Sequence, residues 1–422
     1  MTRHPYRVPY LVYANEKGEV FEENGLLMIG REGKNFRVPE LEELIPLPEG
    51  SELFVLPGRA PLGIDPNTGE MVHLEGVQAV AAFVAPAHTA TLWAAYKRVR
   101  DDAPVLPLFH YTAVGYLDGR FWAACFRSDP DPRQDASSFT GKPIKKLTLR
   151  ALRANPENRL LKHLGNCCLR YGCPAARNYF LGRWEAPLPT SPVCNARCVG
   201  CISLQKDTGI CAPQERISFV PTPEEICEIA VGHLKKAPRA VVSFGQGCEG
   251  EPLLQAQVIE DAIRRMRKET SRGTINLNTN ASRPEAVESL ARAGLDSIRV
   301  SLNSAQRQFY ERYFRPRGYS FDDVLQSIRL AKKAGLFVSL NYFIFPGLTD
   351  TEEESTAFFD LIENLRPDMV QLRNLNIDPE YYLEKLDFYN DRPSYGILNW
   401  LKLLKKKFPF LRTGYFNPPV RQ

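Results

Sequence analysis

Several common signatures are missing from this sequence of 422 residues, and each absence excludes a class of protein. No apolar run is long enough to span a bilayer, so we expect no membrane partner. The N-terminus lacks the apolar stretch of a secretory signal, and we therefore predict a cytoplasmic protein. There is no Walker loop for nucleotide hydrolysis, and the six histidines are dispersed without an H-E-x-x-H zinc pattern.

What the chain does have is an ordinary composition and an unusual grouping of cysteines. Hydrophobic residues make up 44% and charged residues 24%, which is typical of a globular protein. The net charge of +5 is too small to indicate a nucleic-acid partner by itself. Seven of the ten cysteines fall between residues 167 and 211. In a reducing compartment, thiols clustered in sequence indicate a metal site rather than disulfides.

Local patterns divide the chain into four segments. Residues 1–140 predict a smaller, strand-rich N-terminal domain, in which Asp118-Gly119 between two aromatic runs indicates a hairpin. Residues 141–189 predict a helical linker segment that contains cysteines. Between residues 190 and 390, apolar strands alternate with helices, which predicts parallel βα units of the α/β class. Residues 391–422 predict a C-terminal helix and a tail.

Four strands predicted in the 190–390 segment carry polar residues on one face, because strand residues two apart share a face. These polar positions are Asn276, Asn278, Asn280, Arg299, Ser301, Asn303, Ser339, Asn341, Gln371 and Arg373. A parallel strand covered on both sides should be apolar throughout. We therefore expect a polar, ligand-holding interior. The alternative, that each polar residue satisfies a neighbouring strand end, would explain one strand but hardly four.

Cys194, Cys198 and Cys201 form a C-x3-C-x2-C triad on a loop that enters the βα region. Three thiolates can bind three irons of a cubane cluster, which leaves the fourth iron open to a substrate. The alternative is a structural zinc site, which would need a fourth ligand such as Cys211.

The triad resembles the signature of the radical S-adenosylmethionine superfamily, although Gly200 stands where the superfamily usually has an aromatic residue. Four further motifs follow in the order found in that superfamily: Glu249-Gly250-Glu251-Pro252, Thr279-Asn280-Ala281, Ser301 with Asn303, and Phe345-Pro346-Gly347. The resemblance implies a partial (β/α)6 TIM-like barrel with a [4Fe–4S] cluster on the triad. It also implies contacts to S-adenosylmethionine, with Glu251 near the amino group. The implied contacts are Gly200, Gly250, Glu251, Asn278, Asn280, Ser301, Asn303 and Pro346.

The resemblance further implies a radical enzyme, either a transferase or an oxidoreductase. It would take an electron from a donor such as flavodoxin or ferredoxin and cleave S-adenosylmethionine reductively. The resulting 5′-deoxyadenosyl radical would abstract hydrogen from the substrate. Because the N-terminal domain is large enough to be a recognition module, we expect a macromolecular substrate: a peptide, protein or RNA. One alternative is a small molecule in cofactor biosynthesis, and another is a non-catalytic iron–sulfur electron carrier or scaffold.

A second cysteine group, Cys167, Cys168 and Cys173, precedes the triad. It predicts an auxiliary iron–sulfur cluster, with Cys211 as a candidate fourth ligand. The alternative is that these residues are buried thiols that act as small hydrophobic side chains. We expect Cys248 to fill a tight turn beside the motif that contains Glu251.

Overall fold

The computed structural model describes residues 8–205, 208–389 and 393–421. The first third of the described chain is rich in antiparallel strands, as predicted. Eleven of these strands form one sheet, and β3, β4 and β11 form a smaller one. The strands are β1 (Tyr10–Ala14), β2 (Val20–Met28), β3 (Gly30–Glu32), β4 (Asn35–Arg37), β5 (Leu44–Pro46), β6 (Glu52–Leu56), β7 (Arg59–Ile64), β8 (Met71–His73), β9 (Gln78–Phe83), β10 (His88–Ala90), β11 (Trp93–Ala94), β12 (Tyr96–Arg98), β13 (Val114–Leu117) and β14 (Arg120–Arg127).

The predicted hairpin at Asp118-Gly119 joins β13 and β14. Both residues have positive φ angles, 51° and 77°, as a type I′ turn requires. Such a turn matches the twist of the strands on either side. It fixes a register that pairs Tyr116 with Phe121, and these two rings pack edge to face at a centroid distance of 5.0 Å.

A parallel half-barrel follows, and it confirms the predicted α/β class with a partial TIM-like barrel. Helices α1 (Ile144–Ala154), α2 (Arg159–Leu169) and α3 (Pro174–Phe180) lead into it. Its sheet contains seven parallel strands in chain order: β15 (Glu185–Pro187), β16 (Val241–Phe244), β17 (Thr274–Thr279), β18 (Ser297–Leu302), β19 (Phe337–Ile344), β20 (Met369–Asn374) and β21 (Arg412–Gly414).

The remaining helices lie between these strands along the chain. They are α4 (Pro223–Lys236), α5 (Ala256–Glu269), α6 (Pro284–Ala293), α7 (Arg307–Phe314), α8 (Phe321–Lys333), α9 (Glu352–Leu365), α10 (Pro379–Leu386) and α11 (Ile397–Lys407). Several begin with a side-chain cap. In α4, for example, Thr222 and Glu225 form a reciprocal capping box. None of the helices in the described ranges is long and apolar enough to cross a bilayer.

The parallel sheet is wider than the predicted barrel segment of residues 190–390, because β15 and β21 lie outside it. Both are three residues long and form the two edges of the sheet. Strands this short carry too little periodicity to be recognised from sequence, and Pro187 in β15 is tolerated only at such an edge. Two of the predicted segments begin at residues 1 and 391. Both of these residues lie outside the described ranges.

Polar side chains fill the inside of the half-barrel, as expected. Asn276 Nδ2 donates to Asn278 Oδ1 at 2.8 Å, and Ser297 Oγ donates to Asn276 Oδ1 at 2.8 Å. Asn417, from the C-terminal tail, donates to Asn278 Oδ1 at 3.1 Å and accepts from Gln371 Nε2 at 3.1 Å. The tail therefore links β17 to β20 across the interior.

The N-terminal domain docks on the barrel along β20 and the segment after it. Thr89 Oγ1 donates to the carbonyl of Leu372 at 2.8 Å. Arg59 and Asp378 form an ion pair of 2.7 Å in which both side chains are fully buried. The two parts of the chain therefore share a buried, polar interface.

Candidate active site

A cavity of ≈ 370 Å³ opens at the carboxyl ends of the parallel strands. Active sites of barrel folds lie at this end. The structure brings the whole cysteine triad to this cavity, together with most of the predicted S-adenosylmethionine contacts. The predicted residues that line it are Cys194, Cys198, Gly200, Cys201, Gly250, Glu251, Asn278, Asn280 and Ser301.

Two of the predicted S-adenosylmethionine contacts do not line the cavity. Asn303 is fully buried, and its Nδ2 donates to the carbonyl of Phe309 and to Tyr382 Oη, at 3.1 and 3.2 Å. The carbonyl of Pro346 accepts from the N–H of Gly33, the residue after β3, at 2.9 Å. The turn at Pro346 therefore contacts the N-terminal domain. The resemblance could not predict this contact, because the N-terminal domain lies outside the part of the chain it covers.

The cysteine loop is held from two sides. Asn280, at the end of β17, donates through Nδ2 to Asn195 Oδ1 at 2.9 Å. On the other side, the N–H of Val199 donates to the carbonyl of Tyr313 at the end of α7, at 2.9 Å. These bonds fix the position of the triad relative to the strand ends. They also give Asn280 a positioning role.

Gly200 leaves room for an aromatic ring that comes from elsewhere in the chain. A Cβ atom at Gly200 would lie 2.9 Å from Tyr313 Oη, and Tyr313 is buried. An aromatic side chain therefore does stand beside Cys201, but α7 supplies it. No local pattern indicates Tyr313, since it follows the triad by more than a hundred residues.

The electrostatics of the triad favour a cationic group. Burial, with the charge of Glu251 added to it, raises the pKa of Cys194 to about 11. Burial and the neighbouring thiols raise the pKa of Cys198 well above its usual range. Arg216 Nη2 lies 3.4 Å from Cys201 Sγ and donates to it. Three half-buried thiols on one loop, with Arg216 as a cationic donor, fit an iron cluster that would stabilise them as thiolates.

Two carboxylates after β16 have different partners. Glu249 accepts from the N–H groups of Thr190 and Ser191 at 2.7 and 2.9 Å, so it shapes the chain that leads to the triad. Glu251 accepts from the N–H of Asn280 at 2.8 Å and faces the cavity. Burial raises the pKa of each carboxyl group to about 7. An ammonium group beside Glu251 would stabilise its charged form, so the structure suits the predicted role of Glu251.

Two glycines allow this loop to approach its neighbours closely. Gly245 has a φ of 77°, and a Cβ there would lie 1.7 Å from the carbonyl oxygen of Asn278. A Cβ at Gly250 would lie 2.0 Å from the carbonyl oxygen of Val193. Any larger residue would push the loop away from β17 and from the cysteine segment.

Two arginines from β18 and β20 face the cavity. Arg299 has one long bond of 3.4 Å from Nη1 to Gln371 Oε1, and its Nε has no partner among the described residues. Arg373 donates to the carbonyl of Tyr415 at 3.1 Å. Burial lowers the pKa of Arg299 to about 9, and the charge of Arg373 adds to this effect. Asn341 Oδ1, which is buried, also lacks a partner within the described chain.

The second cysteine group is arranged differently from the prediction. His163 Nε2, Cys167 Sγ and Cys248 Sγ all lie within 4.8 Å of one another, although we expected Cys248 only to fill a turn. Cys168 Sγ faces α1, and Cys211 is exposed. The structure does not bring these last two residues into the group. The auxiliary cluster stays a prediction for Cys167, Cys168, Cys173 and Cys211.

Comparison with known proteins identifies the family of the central segment. Residues 188–359 match the model of the Radical SAM superfamily. GTP 3′,8-cyclase of Aquifex aeolicus (strain VF5) is 30% identical over 223 residues, which are 51% of this chain and 62% of that protein. GTP 3′,8-cyclase of Lactiplantibacillus plantarum is 28% identical over 162 residues, 38% of this chain and 45% of that protein. The chain thus spans about half the length of the curated relatives it matches.

A solved structure of methylornithine synthase (PylB) aligns with a TM-score of 0.39 at 18% identity, covering 64% of this chain and 75% of that one.

The curated relatives overturn one prediction. The expected macromolecular substrate, a peptide, protein or RNA, is wrong, because the relatives named GTP 3′,8-cyclase act on a small molecule. The small-molecule alternative is favoured instead. Residues 188–359 therefore form a radical SAM domain, and enzymes of that superfamily use a [4Fe–4S] cluster and S-adenosylmethionine.

Proposed function

We propose that this chain is a radical enzyme that acts on a small anionic molecule, which Arg299 and Arg373 hold inside the half-barrel. The observation that carries the proposal is a pair of half-buried arginines that face the cavity and have no bonded carboxylate among the described residues. The relatives named GTP 3′,8-cyclase support it, because their substrate is small and carries phosphates.

The cofactors would occupy the mouth of the same cavity. Cys194, Cys198 and Cys201 would hold the [4Fe–4S] cluster, and Glu251 would face the amino group of S-adenosylmethionine. When bound, these cofactors supply the radical chemistry that removes hydrogen from a substrate. The side chains of the protein orient the ligands. Arg216 donates to Cys201, and the polar residues of the strands hold the substrate deeper in the barrel.

The charge around Arg299 is not balanced by the barrel itself. The charge of Glu185 acts on Arg299, but Glu185 Oε1 already accepts from Ser243 Oγ at 2.5 Å and from Asn417 Nδ2 at 2.8 Å. A buried guanidinium without a bonded anion is costly. A phosphate or carboxylate on the substrate would remove that cost and would match the forked geometry of arginine.

Ligand-induced stabilisation tests the anion site. We expect inorganic pyrophosphate and GTP to raise the Tm of the protein at constant ionic strength. Arg299→Met and Arg373→Met should each weaken binding about tenfold or more, because each removes a charge-assisted contact. Arg292→Met is the matched control, since Arg292 is exposed and pairs with Glu288 on α6. The proposal fails if neither anion stabilises the protein, or if both cavity variants respond like the wild type.

S-adenosylmethionine also carries a carboxylate, so its affinity is measured for the same variants. If they lost affinity for S-adenosylmethionine alone, the arginines would serve the cofactor rather than the substrate.

Radical chemistry needs its own assay. Reconstituted, reduced protein should convert S-adenosylmethionine to 5′-deoxyadenosine, measured by mass spectrometry, and Cys198→Ala should abolish the product. Cys227→Ala is the control, because Cys227 lies in α4 with its Sγ 3.6 Å from the carbonyl of Ala262. Absence of 5′-deoxyadenosine from the wild type, with GTP present or absent, would contradict the proposed activity.

A further inference from the structure

A compact group of metal-ligating side chains lies beside the cavity but does not line it. His163 and Cys167 are four residues apart on α2, so they share one face of the helix. Cys248 comes from the loop after β16. Cys167 and Cys248 are only 2% and 6% exposed, and the ligand atoms of all three residues lie within 4.8 Å of one another.

We propose that His163, Cys167 and Cys248 bind a single zinc ion. Zinc prefers tetrahedral sites made of thiolate and imidazole ligands. With Zn–S and Zn–N bonds of usual length, the S···N edge of such a tetrahedron is about 3.6 Å. The distance from His163 Nε2 to Cys167 Sγ is 3.6 Å. His163 and Cys167 therefore already stand at the separation that one shared ion requires, and Cys248 Sγ lies within 4.8 Å of both.

The compact spacing favours one ion over a cluster. The thiolates of a cubane cluster bind different irons, so they stand farther apart than ligands that share an ion. The triad of Cys194, Cys198 and Cys201 lies fully within the described residues, yet it does not form a group as compact as this one. The two sites thus differ in the spacing of their ligands. The triad suits a cluster, and the group of His163, Cys167 and Cys248 suits a single ion.

Cys173 can complete the coordination. It directly precedes α3, and its N–H donates to the carbonyl of Cys167 at 3.0 Å. With its half-buried side chain as the fourth ligand, the group would be a Cys₃His zinc site. The ion would tie α2 to the loop that carries Glu249 and Glu251. Metal binding would release the thiol protons to solvent.

The test uses the full chain with Cys194, Cys198 and Cys201 all changed to Ala, so that the triad holds no metal. Under reducing conditions, we expect this variant to bind about one Co²⁺ with the visible spectrum of a tetrahedral thiolate site. Zn²⁺ should displace the cobalt. Adding Cys167→Ala or Cys248→Ala should abolish binding.

Cys168→Ala is the matched control, because Cys168 is the next residue on the same helix and equally buried, at 2%. It should leave cobalt binding unchanged. His163→Gln keeps a side chain of similar size. It should lower the affinity at least tenfold even if the cysteine variants fail to fold.

Three results would each overturn the proposal. One is the absence of bound Co²⁺ and Zn²⁺, and a second is a Cys168→Ala variant that loses as much metal as Cys167→Ala. The third is about four irons with equivalent sulfide in the triad variant, which would replace the single ion by the predicted auxiliary cluster.

Discussion

Beside Cys201, the space for a side chain is shared between two residues that are distant in sequence. Gly200 has no Cβ, and Tyr313 Oη occupies the volume where one would lie. Tyr313 is also held in place, since its carbonyl accepts from the N–H of Val199 at 2.9 Å. The identity of residue 200 is therefore determined by packing against α7.

This shared space leads to a double-mutant test. We expect Gly200→Ala to lower the free energy of unfolding by about 1–3 kcal/mol, because it overpacks a buried contact. In a Tyr313→Phe background, which removes the hydroxyl, the same change should cost clearly less. Urea unfolding of the wild type, the two single variants and the double variant, all without metal, gives the coupling energy between the two positions. If Gly200→Ala lowers the free energy of unfolding equally in both backgrounds, Tyr313 Oη does not restrict the size of the side chain at position 200.

At the scale of elements, Glu251 connects the loop after β16 to the end of β17. Its carboxylate accepts from Thr279 Oγ1 at 2.5 Å and from the N–H of Asn280 at 2.8 Å. It also accepts from the N–H of Leu253 at 3.0 Å. Burial outweighs these bonds and raises the pKa of Glu251 from 4.5 to about 7. The strand ends are thus joined by a carboxyl group that prefers to keep its proton.

This preference gives a pH dependence with a definite sign. Between pH 4.5 and 7, the folded protein keeps a proton on Glu251 that the unfolded chain has released. The contribution of Glu251 to stability is therefore full below pH 4.5 and is lost as the pH rises through 7. It amounts to about 3 kcal/mol at most.

Glu251→Gln should flatten the decrease in stability between pH 5 and 8, as measured by urea unfolding without ligands. Glu157→Gln is the control, because Glu157 is exposed. If the pH dependence of stability is unchanged in Glu251→Gln, other groups cause that dependence.

The elements themselves were largely predictable, and their contacts across the barrel were not. The periodic strands β16 to β20, and the polar face shared by β17 to β20, follow from residue patterns over six to ten positions. Arg299 and Arg373 were recognised as members of that face. Their lack of a bonded carboxylate depends on where Glu185 points, which no local pattern encodes. Tyr313 and Arg216 reach the triad only because the chain folds back on itself.

At the scale of the whole molecule, one buried ion pair joins the N-terminal domain to the half-barrel. Arg59 Nη2 lies 2.7 Å from Asp378 Oδ2, and both side chains are 0% exposed. Asp378 Oδ2 also accepts from the N–H of Leu106 at 3.0 Å, and its Oδ1 accepts from the N–H of Glu380 at the start of α10. Since Asn376 lines the cavity two residues before Asp378, the pair fixes the domain beside the active site.

Breaking this pair should destabilise the molecule far more than breaking an exposed one. Arg59→Met leaves the Asp378 carboxylate buried without its cation, which should cost about 3–5 kcal/mol in the free energy of unfolding. Arg100→Met removes the exposed pair with Asp102, whose side chains are 67% and 71% exposed, and should cost under about 1 kcal/mol.

Adding Asp378→Asn to Arg59→Met should recover part of the loss, because the amide oxygen keeps its role as an acceptor while the uncompensated charge disappears. Urea unfolding and limited proteolysis between the domain and the barrel would measure both effects. If Arg59→Met costs no more than Arg100→Met, or if the double variant is no more stable than Arg59→Met, charge pairing does not hold the N-terminal domain against the barrel. The apolar contacts of the interface would then suffice to keep it there.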